Sequence, residues 1–183
     1  MNPIAISALF LVCLQATAVV AQTKAGNQRE KSKATKVARA ISAAPAPIAK
    51  AAKVVDFDNK GNEISLREGT NGFTCYPGHP GLVGGQRYCA NEAAVQWERD
   101  LAAHKPKPTN TEPGIEYMLL GGTDWSGSDP NATSGTPIKE PPHWMIMWPF
   151  DPSTGLSVEP RQTGTWIMWA GTPYAHLMIN QRP

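Results

Sequence analysis

Short apolar runs recur along the last 130 residues of the chain, and Gly, Pro, Asn or Asp residues separate them. Such runs are typical of β-strands, because a buried strand carries apolar side chains on both faces. They fall at residues 54–58, 63–67, 115–120, 143–148, 166–169 and 174–180. The pattern therefore predicts an antiparallel sheet of about five or six strands.

One segment has the spacing of a helix instead. Ala94, Trp97 and Leu101 fall on one helical face, and Asn91 stands before them as a good N-cap residue. Pro106 follows the segment and cannot continue it. The sequence thus predicts a single helix packed on the sheet.

The first 53 residues follow neither pattern and divide into two parts. Residues 1–21 contain an apolar run at 4–14 followed by small residues, which predicts a cleaved export signal. This run is too short for a membrane span, so no transmembrane segment is expected in the mature chain. Residues 22–53 are rich in Ala and Lys and have no aromatic residue, which predicts a disordered arm.

Charge is distributed unevenly between the predicted arm and the predicted domain. Eight Lys or Arg residues against one Glu give residues 22–53 a net charge of +7. Because the whole chain carries +2, residues 54–183 carry −5. The arm is expected to contact an anionic envelope surface or to act as a solvated linker. No basic face with interleaved aromatic residues is present, so no nucleic-acid partner is predicted.

Two cysteines, Cys75 and Cys89, remain after the predicted signal. An even pair in an exported protein is most simply a disulfide. The alternative is a zinc site that adds His79 to the two cysteines. That site would lack both a CxxC pair and a clear fourth ligand.

The candidate chemistry lies in two strands that each carry a His-x-Met motif. Residues two apart share one face of a strand, so His143 lines up with Met145 and His176 lines up with Met178. Imidazole and thioether ligands together favour Cu(I), and these four residues form our predicted soft-metal site, with copper as the expected cofactor. The alternative interpretation is packing alone, since Met fills irregular gaps in a core.

Two further sites are open at this stage. His143 and His176 would act as general acid and base if the protein were a small exported enzyme. A polar, glycine-rich loop carries Asp124, Ser126 and Asp129, which would hold a ligand or a cation. The alternative for this loop is a packed surface turn.

Four segments carry a resemblance to known sequences. They are Leu66–Cys75, which contains a GxNGxxC pattern, Tyr117–Thr123, Pro142–Ile146 and Pro173–Ile179. Together they resemble a family of uncharacterised secreted bacterial proteins. The resemblance covers about residues 54–180, implies a bacterial, exported, single-domain protein, and transfers no catalytic residue.

These signals combine into one prediction. Residues 54–183 are expected to form a single α+β domain with a small antiparallel sheet, one packed helix and one disulfide. We predict a non-enzymatic binding protein, periplasmic or secreted, that holds a soft metal or a small ligand at the His-x-Met strands. The remaining alternative is an envelope-associated structural protein with packed histidines.

Overall fold

The computed structural model of the protein describes residues 32–181. The predicted export signal and residues 22–31 of the predicted arm lie outside the described residues. The chain divides into two compact units, Met1–Lys36 and Val37–Pro183. Of the first unit, residues 32–36 are described, and they are helical.

Three α-helices and ten strands form the described part of the chain. In chain order they are α1 (residues 32–41), α2 (Ala46–Ala51), β1 (Lys53–Phe57), β2 (Glu63–Arg67), β3 (Phe73–Tyr76), β4 (Tyr88–Asn91), α3 (Glu92–Ala102), β5 (Gly114–Met118), β6 (Gly122–Asp124), β7 (Ile138–Glu140), β8 (His143–Met147), β9 (Gly164–Met168) and β10 (His176–Asn180). One 3-10 turn, Pro152–Thr154, lies between β8 and β9. The prediction of an α+β fold is confirmed.

The main sheet has eight strands in the order β2-β1-β3-β4-β5-β8-β10-β9. Neighbours run antiparallel except β1 and β3, which are parallel. Strands β6 and β7 form a separate two-stranded sheet. The predicted size of five or six strands is wrong, because β3 and β4 belong to the main sheet as well. Each is only four residues long and borders a Gly- and Pro-rich loop, so neither gives a long apolar run.

The disulfide joins these two short strands. Cys75 and Cys89 lie directly opposite each other in the β3–β4 pair and are bonded, with their Cα atoms 4.0 Å apart. The predicted disulfide is confirmed, and the zinc alternative is wrong because both sulfur atoms are already bonded. The bridge closes the loop that carries His79.

Helix α3 forms where the apolar spacing predicts it. The side-chain oxygen of Asn91 accepts hydrogen bonds from the backbone N–H groups of Ala94, at 3.0 Å, and Ile115, at 2.9 Å. The first bond caps the helix and the second fixes it to β5. Trp97 points from α3 into a core that includes Met145, Met147 and Met178.

The predicted disordered arm is wrong for residues 37–53, which belong to the second compact unit. Ala40, Ala43 and Ala52 have no exposed surface, and they pack with the disulfide in a second core. Arg67 closes the end of α2 by donating hydrogen bonds from Nη2 to the carbonyls of Ala49 and Ala52, both at 2.6 Å. Aromatic residues are not needed here, because alanine lets a helix approach a sheet closely.

No helix within residues 32–181 combines the length and the apolar character needed to cross a bilayer.

Candidate functional site

The two His-x-Met strands place their histidines and methionines on one buried side of the sheet. Along β8 and β10, buried residues alternate with partly exposed ones, and each histidine and its motif methionine take the buried positions. Met178 lies opposite Met145, so these two side chains are direct cross-strand neighbours. Met118 of β5 lies opposite His143 and brings a further thioether to the same side.

The strand register separates the two histidines. His143 pairs with Asn180 at one end of β10, whereas His176 stands at the other end, opposite Met168 of β9. An offset of about four residues corresponds to roughly 13 Å along a strand. The imidazoles therefore occupy different rows of the sheet, and Met145 and Met178 form the row between them.

Each imidazole is oriented by a backbone carbonyl two residues before it. Nδ1 of His143 lies 2.7 Å from the carbonyl oxygen of Pro141, and Nδ1 of His176 lies 3.1 Å from that of Tyr174. A carbonyl only accepts, so Nδ1 donates in both cases and Nε2 keeps a lone pair. Metal-binding histidines are commonly oriented in this way. The buried Nε2 of His143 has no hydrogen-bond partner.

Burial keeps both imidazoles neutral. It lowers the pKa of His143, and the hydrogen bond to Pro141 offsets only part of this effect. For His176, burial lowers the pKa to about 4. Two indole rings meet His176 edge-on, with ring centroids 5.2 Å away for Trp97 and 5.0 Å away for Trp169.

A cavity of about 260 Å³ lies between α3, the main sheet and the β6–β7 pair. One wall is apolar and sulfur-rich, and it contains His176. Its principal side chains are Met118, Met145, Met147, Met168 and Trp169. Within the predicted metal set, Met145 and His176 line the cavity, whereas His143 and Met178 are absent from its lining.

Trp169, which belongs to the apolar wall, has an uncommon backbone conformation. Its φ angle is +55°, in the left-handed region that bulky residues rarely adopt. Its indole Nε1 donates a hydrogen bond of 2.9 Å to the carbonyl of Ser126, and its backbone N–H donates one of 2.8 Å to Gly127. These bonds fix the ring against the cavity.

A second part of the lining, the acidic wall, carries carboxyl groups and adjoins the apolar wall, since Glu116 is the cross-strand partner of Met145. Four carboxyl groups from four different elements line it: Glu98 of α3, Glu116 of β5, Asp124 of β6 and Glu140 of β7. The described residues that line the cavity include no Lys or Arg. Glu116 is only 3% exposed, and its Oε2 has no hydrogen-bond partner. This oxygen is a buried polar atom in a residue that lines the cavity.

Burial raises the pKa values of all four carboxyl groups, and the charges of neighbouring acids add to this effect for Glu98, Glu116 and Glu140. Burial, followed by the charge of Asp124, raises the pKa of Glu98 to about 7 and that of Glu140 to about 8. Burial is also the main cause for Glu116, whose pKa lies well above its usual range, with contributions from Glu98 and Glu140. The pKa of Asp124 is raised as well. These carboxyl groups therefore retain protons near neutral pH.

The polar loop predicted as a ligand site is only partly at the cavity. Asp124 lines it. The side chain of Ser126 instead accepts hydrogen bonds from the backbone of Ser128, at 3.1 Å, and of Asp129, at 3.0 Å. Asp129 in turn accepts one of 2.9 Å from Asn131. Ser126 and Asp129 use these acceptors to shape the turn.

Three of the four acids were missed by the sequence analysis. Glu116 carried the clearest signal, since it lies inside the apolar run 115–120, two residues before Met118. A charged residue at an inward position of a strand costs free energy unless it has a partner, and it marks a candidate site. Glu98 and Glu140 gave no comparable signal, because α3 has a polar face and β7 has only three residues.

Within residues 32–181, no group of three or more His, Cys, Asp or Glu side chains is arranged to hold a metal ion. The chain matches no protein-family model, no curated protein and no solved structure.

Proposed function

We propose that this protein is a non-enzymatic, exported binding protein that takes a small cation into the cavity between α3 and the sheet. The export signal predicted at residues 1–21 supports the exported location. The observation that carries the binding role is the composition of the cavity wall. Four carboxyl groups line it, the described lining contains no Lys or Arg, and Glu116 Oε2 has no partner.

A buried carboxylate needs a partner that compensates for its lost hydration. Moving a carboxylate out of water costs free energy unless a hydrogen-bond donor or a cation replaces its hydration. In this cavity protons supply that compensation, which is why the pKa values of Glu98, Glu116 and Glu140 are raised. A bound cation would replace those protons and would interact with ionised carboxylates at low effective dielectric constant.

A soft metal is the second candidate for the bound cation. His176 stands opposite Met168, and the strand register places Met147 on its other side. All three residues line the cavity, and Nδ1 of His176 is already engaged by a carbonyl. If Cu(I) is the ligand, these three residues are favoured over the metal site predicted from the sequence, since His143 and Met178 do not line the cavity.

The enzymatic alternative gains no support from this arrangement. The general acid and the general base of an enzyme must both reach the same substrate. His176 lines the cavity, but His143 lies in a different row and is not part of the lining. The structural alternative, with packed histidines only, gives no account of the acidic wall.

Thermal unfolding of the full chain with a set of ligands tests the proposal. The set contains an organic amine, Cu(I) under anaerobic conditions, Zn(II), and acetate as the anionic control. A ligand at about one hundred times its Kd stabilises the folded state by about 2.7 kcal/mol, which raises Tm by roughly 5 to 10 °C at this size. We expect at least one cation to do so and acetate to have no effect. If no cation raises Tm, the proposed function is wrong.

A further inference from the structure

We propose that the cation is an organic ammonium group carried by a short apolar body, bound with its nitrogen at Glu116 and its hydrocarbon against the methionines and Trp169. This inference rests on the proposed function and names the chemical class of its ligand. It draws on the size of the cavity, the chemistry of its two walls, and the unpartnered oxygen of Glu116.

The cavity is far larger than a single ion needs. Its volume is about 260 Å³, whereas one water molecule takes about 30 Å³ in the liquid. A lone metal ion would leave most of this space unfilled. A molecule with roughly eight or nine non-hydrogen atoms matches it, if each atom takes about the volume of one water.

The two walls require different groups on the ligand. Carboxylates bind N–H donors through short, charge-assisted hydrogen bonds. Thioether and indole side chains pack against methylene groups or rings, and indole also attracts cations to its face. An ammonium group on an apolar body supplies both kinds of group in one molecule.

The register brings the two walls within the span of a small molecule. Glu116 of β5 is the direct cross-strand partner of Met145 of β8. Side chains in such pairs have their Cβ atoms about 5 Å apart. A ligand whose ammonium group donates a hydrogen bond to Glu116 therefore places its next few carbon atoms beside Met145 and Met147, which share the buried side of β8.

Metal ions fit only part of this arrangement. Hard divalent ions need several oxygen ligands that converge on one point, and within the described residues no such group is found. Cu(I) would use the imidazole and thioether groups but would leave the four carboxyl groups without a cationic partner. An organic ammonium ion with an apolar body would interact with both walls.

The test compares two molecules of the same shape, 2-phenylethylamine and 2-phenylethanol, by isothermal titration calorimetry on the full chain. Both offer the same apolar body, and only the amine is charged. We expect the amine to bind at least tenfold more tightly than the alcohol, which corresponds to about 1.4 kcal/mol. This comparison uses the unchanged protein, so it does not depend on the folding of any variant.

The matched variants are Glu116→Gln and Glu112→Gln. Glutamine keeps the size of the buried side chain and removes the charge, whereas Glu112 is exposed and lies outside the cavity lining. We expect Glu116→Gln to lose at least tenfold in affinity for the amine and Glu112→Gln to bind as the unchanged protein does.

Each outcome separates the inference from the proposed function. If Cu(I) or Zn(II) binds and the amine does not, cation binding stands and the ammonium class is wrong. If the amine and the alcohol bind equally, charge has no role in binding the amine and the ammonium class is wrong, whereas the proposed function is then decided by whether Cu(I) or Zn(II) raises Tm. Equal losses in Glu116→Gln and Glu112→Gln would show that the amine binds elsewhere, which also overturns the inference.

Discussion

Glu116 is the residue on which the chemistry of the cavity depends. It extends from the middle of β5, where Ile115 and Tyr117 on either side of it point to the other face of the strand. Its neighbours Glu98 and Glu140 add negative charge when they ionise, so each proton that leaves the cavity makes the next harder to remove. The acidic wall is therefore a source of instability that grows with pH.

Stability is expected to fall as pH rises through neutrality. The pKa of Glu140 is raised to about 8 in the folded protein from a usual value of 4.5. The folded state then binds more protons than the unfolded state, and the stabilisation is lost as pH rises through the folded pKa. We expect the free energy of unfolding to fall by about 1–2 kcal/mol between about pH 6.5 and 8.5. Chemical denaturation at each pH measures this fall.

The matched control for this prediction is again a pair of Glu→Gln variants. Glu140→Gln should flatten the pH dependence, and Glu112→Gln should leave it unchanged. The other titratable side chains that line the cavity also contribute, and they are Tyr88, Glu98, Glu116, Asp124 and His176. A Glu140→Gln protein with the original slope would contradict the raised pKa of that group.

Among the helices and strands, the local sequence predicted some elements clearly and gave only a weak indication of others. The six strands predicted from apolar runs are present, as is the helix that Asn91 caps. Strands β3 and β4 were missed because their pairing depends on a disulfide and on neighbouring strands, not on their own composition. Helices α1 and α2 were not predicted, because an alanine-rich segment can be disordered or can pack closely. Which of the two occurs depends on whether a sheet face is available for it to pack against.

Helix α1 is expected to tolerate leucine on one side only. Ala40 is fully buried in the core beside the disulfide, whereas Ala38 is exposed on the same helix. Ala40→Leu should lower the free energy of unfolding by about 1–3 kcal/mol, because extra methylene groups in a packed site force neighbours apart. Ala38→Leu, the control, should change it by less than about 0.5 kcal/mol. Urea denaturation of the two variants measures the difference, and equal effects would show that α1 does not pack as described.

At the scale of the whole molecule, the candidate site was only half predictable. The His-x-Met pattern located a sulfur-rich side of the sheet, and its burial follows from strand alternation. The acidic wall could not be predicted, because its four carboxyl groups come from α3, β5, β6 and β7. These elements meet only through the order of the strands and the position of the β6–β7 pair. The cavity is thus a property of the topology, and its ligand chemistry follows from bringing distant acids together.

Binding of an amine is expected to release protons. Near pH 7 the carboxyl groups of the cavity hold protons, since the pKa of Glu98 is raised to about 7 and that of Glu140 to about 8. An ammonium ion favours the ionised carboxylates and so lowers their pKa values, and by linkage its own affinity must rise with pH. We expect 2-phenylethylamine to bind about tenfold more tightly at about pH 8.5 than at about pH 6.5. Calorimetry at one pH in buffers of different ionisation enthalpy counts the released protons directly. Acetate buffer salt and 2-phenylethanol serve as controls, and binding of the amine without proton release would show that the carboxyl groups are not its partners.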